Sequence, residues 1–341
     1  MDVGVPGAER ARLDVGAPGS RRASGRQPPA GDADCGRPVR LAKTRPSHPE
    51  PPVPAPNHVA EPAPAKLNLA LHVTGRRPDG YHSLDMLVAF APFGDRITAA
   101  PAETLSLALT GPFAAGLSAG PDNLVLRAAG ALADRVAARG RPRPGARLTL
   151  DKALPVASGI GGGSADAAAT LRALNRLWDA GLNDADLAAL GMALGADVPM
   201  CLAGRPARVS GIGETVAPLA GLPAFALVLV NPGVPVATPD VFRGLDRRDN
   251  PPLPALPAQF ADLDDLARWL GETRNDLRVP AIGLVPAVAE AERALAACPD
   301  CRFARMSGSG ATVFGLFPDR IAAAGAAHAL RRTFPHWWVA D

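Results

Sequence analysis

Cysteine and long apolar runs are both scarce in this sequence. Its four cysteines, in a chain of 341 residues, are too few for a disulfide framework. The longest wholly apolar run, residues 222–230, includes Pro223 and is about half of the ~20 residues that a membrane-spanning helix needs. No apolar stretch near the start has the form of a secretory signal. The sequence predicts a cytoplasmic protein without a transmembrane segment.

Two of the cysteines, Cys298 and Cys301, form a lone CxxC pair. A zinc site would need a second pair of ligands, and a redox site would need a thioredoxin-like context. Metal and redox roles remain open. The favoured interpretation is two ordinary cysteines at the start of a strand.

Most of the chain carries no net charge. Residues 1–60 hold nine basic and six acidic side chains together with eleven prolines, whereas the other 281 residues hold 27 of each sign. The first 60 residues therefore read as a disordered Pro/Arg-rich tail. A neutral body with 4% aromatic residues argues against nucleic-acid and membrane partners.

Strand-like and helix-like patterns alternate over the rest of the chain, which predicts an α/β protein. We expect domains over 61–218 and 219–341. Strands are predicted over 65–73, 86–90, 104–109, 147–150, 224–230, 311–317 and 337–340, and helices over 123–139, 165–178, 183–194, 261–270, 286–297 and 320–333.

A glycine-rich segment between a predicted strand and a predicted helix is the strongest functional signal. It comprises Pro155, Val156, Ala157, Ser158, Gly159, Ile160, Gly161, Gly162, Gly163, Ser164 and Ala165. Glycines expose backbone N–H groups, and a helix start adds positive charge, so the segment predicts a phosphate site. It lacks the lysine of a Walker A loop and the third glycine of a dinucleotide loop. A merely flexible loop is the alternative.

Lysine and tyrosine are rare enough for their positions to be informative. The chain has 33 arginines but only three lysines, and two of these, Lys66 and Lys152, lie in the predicted globular part. A retained lysine suits a site that needs a compact charge, although chance retention remains possible. The single tyrosine, Tyr81, precedes His82, and the pair can either bind a flat heterocycle or cap a core edge.

Asp197 stands at a predicted helix end among apolar neighbours. Such an aspartate usually caps a helix or a turn. It becomes a candidate base only if Lys66 and the glycine-rich loop lie close to it. A second tight turn of small residues, 307–310, leads into an apolar strand.

Five segments, taken in order, resemble the motifs of the GHMP kinase superfamily. They are PAKLNL at 64–69, RPDGYH at 77–82, GGGS at 161–164, GADVP at 195–199 and SGSG at 307–310. The second and fourth resemble those members whose substrate carries a cytidyl diphosphate. The resemblance implies an N-terminal ribosomal-protein-S5-like domain and a C-terminal ferredoxin-like domain. It also implies Mg²⁺ and ATP-dependent phosphorylation of an erythritol 2-hydroxyl in the non-mevalonate isoprenoid route.

The resemblance also implies roles for individual residues. Asp197 would be the base and Lys66 its partner, while Ser164 and the loop amides would hold ATP and Mg²⁺. The substrate would contact Asn68, Tyr81, His82, Asp197 and Thr238, and the adenine side would lie near Asn123 and Lys152. The oligomeric state, monomer or homodimer, stays open.

The loop departs from the family pattern at Ala157, Ile160 and Ala165, where the family usually has Gly, Leu and Ser. The last change removes a hydroxyl close to the expected phosphates. Two other functions remain alternatives, a homoserine- or mevalonate-type kinase and a non-catalytic nucleotide-binding protein. A stacking role for Tyr81 and His82 argues against the first, because those substrates carry no base.

Overall fold

The computed structural model describes residues 58–341. The predicted tail lies outside the described residues except for its last positions. Val59 and Ala60 already belong to the first strand, so the ordered part begins before the predicted boundary at residue 60. Among the described helices, not one has the length and apolar character required to cross a bilayer.

The first half of the described chain is built on a six-stranded sheet. Its strands are β1 (Val59–Arg76), β2 (His82–Ala102), β3 (Ser106–Thr110), β4 (Gly145–Asp151), β5 (Ala207–Gly211) and β6 (Thr215–Pro218). The order is β3-β4-β2-β5-β6, and β1 pairs antiparallel with β2. The helices are α1 (Leu124–Ala137), α2 (Gly162–Leu177), α3 (Asp184–Leu194) and α4 (Val198–Ala203). Helix α2 packs on β1 and β2, so the glycine-rich segment at its start lies next to both strands.

The second half is built on a four-stranded antiparallel sheet of order β10-β7-β9-β8. Its strands are β7 (Ala226–Asn231), β8 (Phe303–Met306), β9 (Val313–Phe317) and β10 (Trp338–Ala340). The helices are α5 (Thr238–Arg243), α6 (Leu263–Gly271), α7 (Arg278–Leu284), α8 (Ala287–Ala296) and α9 (Arg320–Thr333). The predicted domain boundary at 218/219 falls in the segment between the two sheets.

Strand β1 departs from the predicted pattern in a way that positions the site. A strand with a single buried face was expected over 65–73, yet every residue of that stretch is buried. Leu67 and Leu69 belong to one apolar cluster, and Leu71 and Val73 belong to another. The alternating polar residues are buried as well, because hydrogen bonds satisfy their side chains.

The predicted helices are confirmed and the elements missed entirely are short, but β2 runs over His82–Ala102 where only 86–90 was predicted. All six predicted helices are present, and α9 has the predicted bounds. The hairpin of β5 and β6, strand β8 and the short helices α4, α5 and α7 were not predicted. Elements of four to seven residues contain too few apolar positions to reveal a period.

Candidate active site

A cavity of about 620 Å³ gathers the residues singled out in the sequence. Its walls come from β1, the glycine-rich loop, the start of α4, helix α5 and the 307–310 turn. The predicted site residues that line it are Lys66, Asn68, Asn123, Lys152, Pro155, Val156, Ala157, Ser158, Gly159, Gly161, Gly162, Gly163, Ser164, Asp197 and Thr238. Four predicted site residues, Tyr81, His82, Ile160 and Ala165, do not line it. The last two are buried beneath the loop.

The loop ends in a helix start whose N–H groups have no side-chain cap. Gly161 is the N-cap of α2 and has left-handed backbone angles, φ 66° and ψ 21°. A Cβ at Gly161 would lie 3.0 Å from the Lys66 side chain, which is a tight contact, and the left-handed angles also favour glycine. Uncapped N–H groups at a helix N-terminus form a site for anions such as phosphate.

Hydrogen bonds from both halves of the molecule hold the loop in place. The Lys66 amide donates to the carbonyl of Ile160 at 2.9 Å, and the Thr312 amide donates to the carbonyl of Ser158 at 3.1 Å. The buried Ser307 hydroxyl accepts a hydrogen bond from the backbone N–H of Asn68 at 3.0 Å. It also donates to the Gly159 carbonyl at 3.1 Å. Strand β1, the loop and the 307–310 turn are thus joined through one hydroxyl.

Lys66 and Asp197 form an ion pair at the edge of the cavity. Lys66 Nζ donates to Asp197 Oδ2 at 2.9 Å and to Asn68 Oδ1 at 3.0 Å. The lysine side chain is 5% exposed, whereas that of the aspartate is 35% exposed. Asp197 is the N-cap residue of α4, yet its side chain makes no capping hydrogen bond. The carboxylate therefore faces the cavity, held by a buried cation, and can accept a proton from a bound hydroxyl.

Lys152 is not available to a ligand in the way the sequence suggests. Its buried ammonium donates to Asp95 Oδ2 at 2.5 Å and to Asp166 Oδ2 at 2.8 Å. Burial opposes the charge of Lys152, but the two carboxylates outweigh it and raise the pKa of the ammonium. Burial also raises the pKa of Asp166 to about 7, against the attraction of Lys152. The three groups form a buried cluster beneath the start of α2.

The Asp166 cluster predicts a dependence of stability on pH. Folded Asp166 keeps its proton up to about pH 7, whereas in the unfolded chain it loses the proton near pH ~4. As pH rises from 5 to 7, the free energy of unfolding should fall by about 2 kcal/mol and then level off. We expect Asp166→Asn to lack this fall.

The measurement is urea denaturation at several pH values without nucleotide or Mg²⁺. Asp184→Asn, at an exposed position of α3, is the control and should follow the wild type. Parallel pH curves for the wild type and Asp166→Asn would contradict the shifted pKa.

Asn123 organises the cavity wall through capping. Its Oδ1 accepts from the Val125 amide at 2.9 Å and its Nδ2 donates to the Ser118 carbonyl at 2.7 Å. Both ends of the side chain are therefore occupied within the protein. The neighbouring apolar lining consists of Leu117, Leu124, Leu150 and Val156. Of these four, only Val156 was predicted as a site residue. Leu124 and Leu150 lie within a predicted helix and a predicted strand, where an apolar residue is normally assigned to the core.

The predicted pair Tyr81 and His82 is split in the structure. Tyr81 is 59% exposed, while the His82 ring stacks on Phe242 with centroids 4.8 Å apart and planes at 24°. Burial, followed by the nearby Arg248 and Arg76, lowers the pKa of His82. Phe242 lines the cavity and was missed, although it lies one helical turn beyond the predicted Thr238.

Thr238 begins helix α5 and faces the 307–310 turn. Its Oγ1 lies 2.8 Å from Ser309 Oγ. Both residues line the cavity, so Ser309 joins the candidate polar contacts. Its signal in the sequence was its place in the turn of small residues.

Two family models match the chain, one in each half. The model described as the GHMP kinases N terminal domain matches residues 123–205, and the one described as GHMP kinases C terminal matches residues 253–336. The first match contains the glycine-rich loop and Asp197, and the second contains the 307–310 turn. The fold class predicted from the sequence is thereby confirmed.

Curated relatives match over most of the chain. A protein of Cereibacter sphaeroides is 58% identical over 81% of this chain and 95% of its own length. One of Paracoccus denitrificans is 55% identical over 84% of this chain and 96% of its own length. The chain belongs to the GHMP kinase family. Both relatives are named 4-diphosphocytidyl-2-C-methyl-D-erythritol kinase.

Solved structures agree with this assignment. A crystal structure of a 4-(cytidine 5'-diphospho)-2C-methyl-D-erythritol kinase is 39% identical, with a TM-score of 0.66, and covers 82% of this chain and 97% of the other. A homoserine kinase of Cytophaga hutchinsonii is 19% identical with a TM-score of 0.59, over 84% of this chain and 95% of its own. At that identity the second shares the fold alone.

Proposed function

We propose that this cavity transfers the γ-phosphoryl group of ATP to the 2-hydroxyl of 4-diphosphocytidyl-2-C-methyl-D-erythritol, with Asp197 as the base. The observation behind the proposal is the ion pair of Lys66 and Asp197 in the same cavity as the uncapped start of α2. A proton acceptor and a phosphate site are the two parts that phosphorylation of an alcohol needs.

The reaction itself, ATP-dependent phosphorylation in the non-mevalonate isoprenoid route, is confirmed by relatives. Eight of them, 49–58% identical, carry the name of this kinase. The chain is therefore an enzyme, a kinase that uses ATP. The roles of individual residues, the metal and a cytoplasmic location remain proposals.

Asp197 accepts the proton of the attacking hydroxyl, and Lys66 holds the carboxylate in position. The buried ammonium, 2.9 Å from Asp197 Oδ2, fixes the position of that oxygen. The other oxygen, Oδ1, has no hydrogen-bond partner among residues 58–341 and is the one that meets the substrate. The same positive charge stabilises the alkoxide character that develops during transfer.

The loop holds the phosphates of ATP through backbone groups. The N–H groups at the start of α2 and the hydroxyl of Ser164 face the cavity, and the helix dipole favours negative charge there. The adenine base fits the apolar wall formed by residues 117, 124, 150 and 156. In this proposal the γ-phosphate lies near Asp197.

Mg²⁺ fits the residues beside the phosphate site. Asp166 Oδ1 is buried without a hydrogen-bond partner among the described residues, and Ser164 lies two positions before it. No group of three or more His, Cys, Asp or Glu within residues 58–341 forms a complete metal site. Mg²⁺ is commonly bound by one or two protein oxygens together with substrate phosphates and water. Ser164 and Asp166 would hold it, and when bound it would neutralise charge on the transferring phosphoryl group.

The substrate lies beside Asp197 in the same cavity. Asn68 and Thr238 supply polar contacts to the erythritol, and Phe242 supplies an aromatic face for the cytosine. His82 already stacks on one face of the Phe242 ring. The cytosine must therefore stack on the other face of Phe242, or one of the two rings must move when the substrate binds. Tyr81, exposed at the turn before β2, is free to close over the base.

Replacement of either ring should weaken substrate binding selectively. For Phe242→Ala we expect KM for the cytidyl substrate to rise about 10-fold, from loss of a stacking contact. Tyr81→Ala should act in the same direction, with KM for ATP unchanged in both variants. Steady-state kinetics with each substrate varied in turn measures this. An unchanged KM for the cytidyl substrate in Tyr81→Ala would remove Tyr81 from the site.

The experiment that tests the function is release of ADP with Mg-ATP and three substrates supplied separately. Turnover with 4-diphosphocytidyl-2-C-methyl-D-erythritol and not with homoserine or mevalonate is expected. Turnover with homoserine or mevalonate would support kinase activity but contradict the proposed substrate. Folded protein that binds ATP and turns over none of them would favour the nucleotide-binding alternative.

A further inference from the structure

A second cavity, of about 540 Å³, lies beside helices α7 and α8 and strand β8. It shares no lining residue with the active-site cavity. Its charged lining consists of Arg274, Asp276, Arg278, Glu292, Arg293 and Arg305. Four positive and two negative groups leave an excess of two positive charges, although the globular part of the sequence is neutral.

Arg305 is the buried member of this set and has no carboxylate partner. Its side chain donates to the carbonyls of Leu69, Leu270 and Thr273 and to the Thr273 hydroxyl, at 2.9–3.1 Å. The guanidinium also lies 4.5 Å from the centre of the Phe303 ring. No Asp or Glu of residues 58–341 lies within ion-pair distance of it. A buried charge is normally paired, and that of Arg305 is held instead by carbonyl oxygens and an aromatic ring, with Glu292 acting on it from beyond ion-pair distance.

The two acids of the cavity are already engaged by other arginines. Asp276 pairs with Arg274 at 2.9 Å, and Glu292 pairs with Arg278 at 2.6 Å. Arg293 is exposed and forms no ion pair with any described residue. The positive excess therefore resides in Arg293 and Arg305. Arg278 uses only Nε on Glu292, whereas Arg274 also donates from Nη2 to the Pro251 carbonyl.

We propose that this cavity binds a diphosphate group of a small molecule, at a site separate from the active site. Arg278 and Arg293 keep terminal guanidinium N–H groups that no described residue occupies, and such groups suit an anion with several oxygens because a planar fork can donate two parallel hydrogen bonds. Arg305, whose Nη1 and Nη2 already donate within the protein, contributes charge. Two uncompensated positive charges match the charge of a diphosphate ester better than that of a carboxylate. The cavity volume exceeds what a single phosphate fills.

The site is connected to the active site through the backbone. Asn275, between Arg274 and Asp276, donates from Nδ2 to the carbonyls of Met306 and Gly308 at 2.9 and 2.8 Å. Gly308 lines the active-site cavity. A ligand that orders the 273–278 segment thereby also acts on the 307–310 turn, so occupancy should change KM for ATP.

The first test is protection of arginines from phenylglyoxal by inorganic pyrophosphate, mapped by mass spectrometry on the full chain. No arginine lines the active-site cavity, so pyrophosphate in the phosphate loop does not protect these positions. We expect Arg293 and Arg278 to react about fivefold or more slowly with pyrophosphate, as expected for charge-assisted contacts. Exposed Arg332 on α9 is the internal control and should react at an unchanged rate. Equal rates at Arg293 with and without pyrophosphate overturn the proposal, and equal protection by sulfate overturns the diphosphate assignment.

The second test uses a variant that keeps the fold. Arg293→Gln removes an exposed side chain without a partner, so its turnover should stay within twofold of the wild type. Pyrophosphate should lower the reactivity of Arg278 only at concentrations roughly tenfold higher in this variant, because a charged donor is lost. Arg332→Gln should behave as the wild type. An unchanged concentration dependence in Arg293→Gln overturns the proposal.

Discussion

Asp197→Asn should lower kcat by about 10²–10⁴-fold, the range that a positioned proton acceptor contributes. Asparagine has nearly the same shape, and its oxygen can still accept from Lys66 Nζ, now 2.9 Å from Asp197 Oδ2. The cavity is therefore preserved, while the group that receives the hydroxyl proton is lost. The affinity for ATP should remain within about threefold, because the loop amides that bind phosphate are untouched.

The measurement pairs steady-state turnover with direct titration of an ATP analogue. Asp184→Asn, an exposed change on α3, is the matched control and should leave both values unchanged. Equal losses of turnover and nucleotide affinity in Asp197→Asn would show that Asp197 supports the nucleotide site and does not act as the base.

Gly159→Ala should reduce kcat/KM for ATP by about 100-fold or more. A Cβ at this position would lie 2.5 Å from the Ser307 carbonyl oxygen and 2.7 Å from the backbone of Gly310. These neighbours are backbone atoms, which cannot move aside individually as a flexible side chain can. Either the loop or the 307–310 turn must therefore shift. A misplacement of about 1 Å in a phosphoryl-transfer site can cost ~10²-fold in rate.

Gly140→Ala is the control that distinguishes the effect of the steric contact at Gly159 from the effect of a positive φ angle. Gly140 has φ 79°, close to the 75° of Gly159, but a Cβ there would meet nothing within 4 Å. The control should lose only the ~1–2 kcal/mol of left-handed strain and keep its activity. Circular dichroism and thermal unfolding of both variants distinguish loss of fold from loss of the site. Comparable activity losses in the two variants would contradict a role for the close approach.

Local patterns in the sequence were sufficient for the longer elements and the phosphate loop. Glycines 159, 161, 162 and 163 predict an anion site because backbone freedom and a helix start are properties of neighbouring residues. The scarcity of lysine pointed to Lys66 for a similar reason, since composition is visible without a fold. The family resemblance then added Asp197, whose surroundings in the sequence suit an ordinary cap.

Contacts between distant segments were not predictable in this way. Lys152 looked like a ligand for phosphate, but Asp95 and Asp166, 57 and 14 positions away, occupy its ammonium. Phe242 stacks on His82, and no periodic pattern relates the two. The double burial of β1 was missed because alternation with polar residues normally indicates one solvated face, and here buried hydrogen bonds replace solvent.

The position of β1 between two apolar clusters has a consequence for how the protein matures during synthesis. The strand leaves the ribosome before every other described element, yet Leu67 and Leu69 are covered by Leu229 and Phe314. The backbone N–H of Asn68 likewise gains its hydrogen-bond acceptor only after Ser307 has been synthesised. Strand β1, the first of the described strands to be synthesised, is thus among the last to acquire all of its contacts. In a nascent chain that stops before residue 307, the hydrogen bonds that position β1 and Lys66 are incomplete. Catalytic competence then appears in a single late step, when the last third of the chain closes over the first strand.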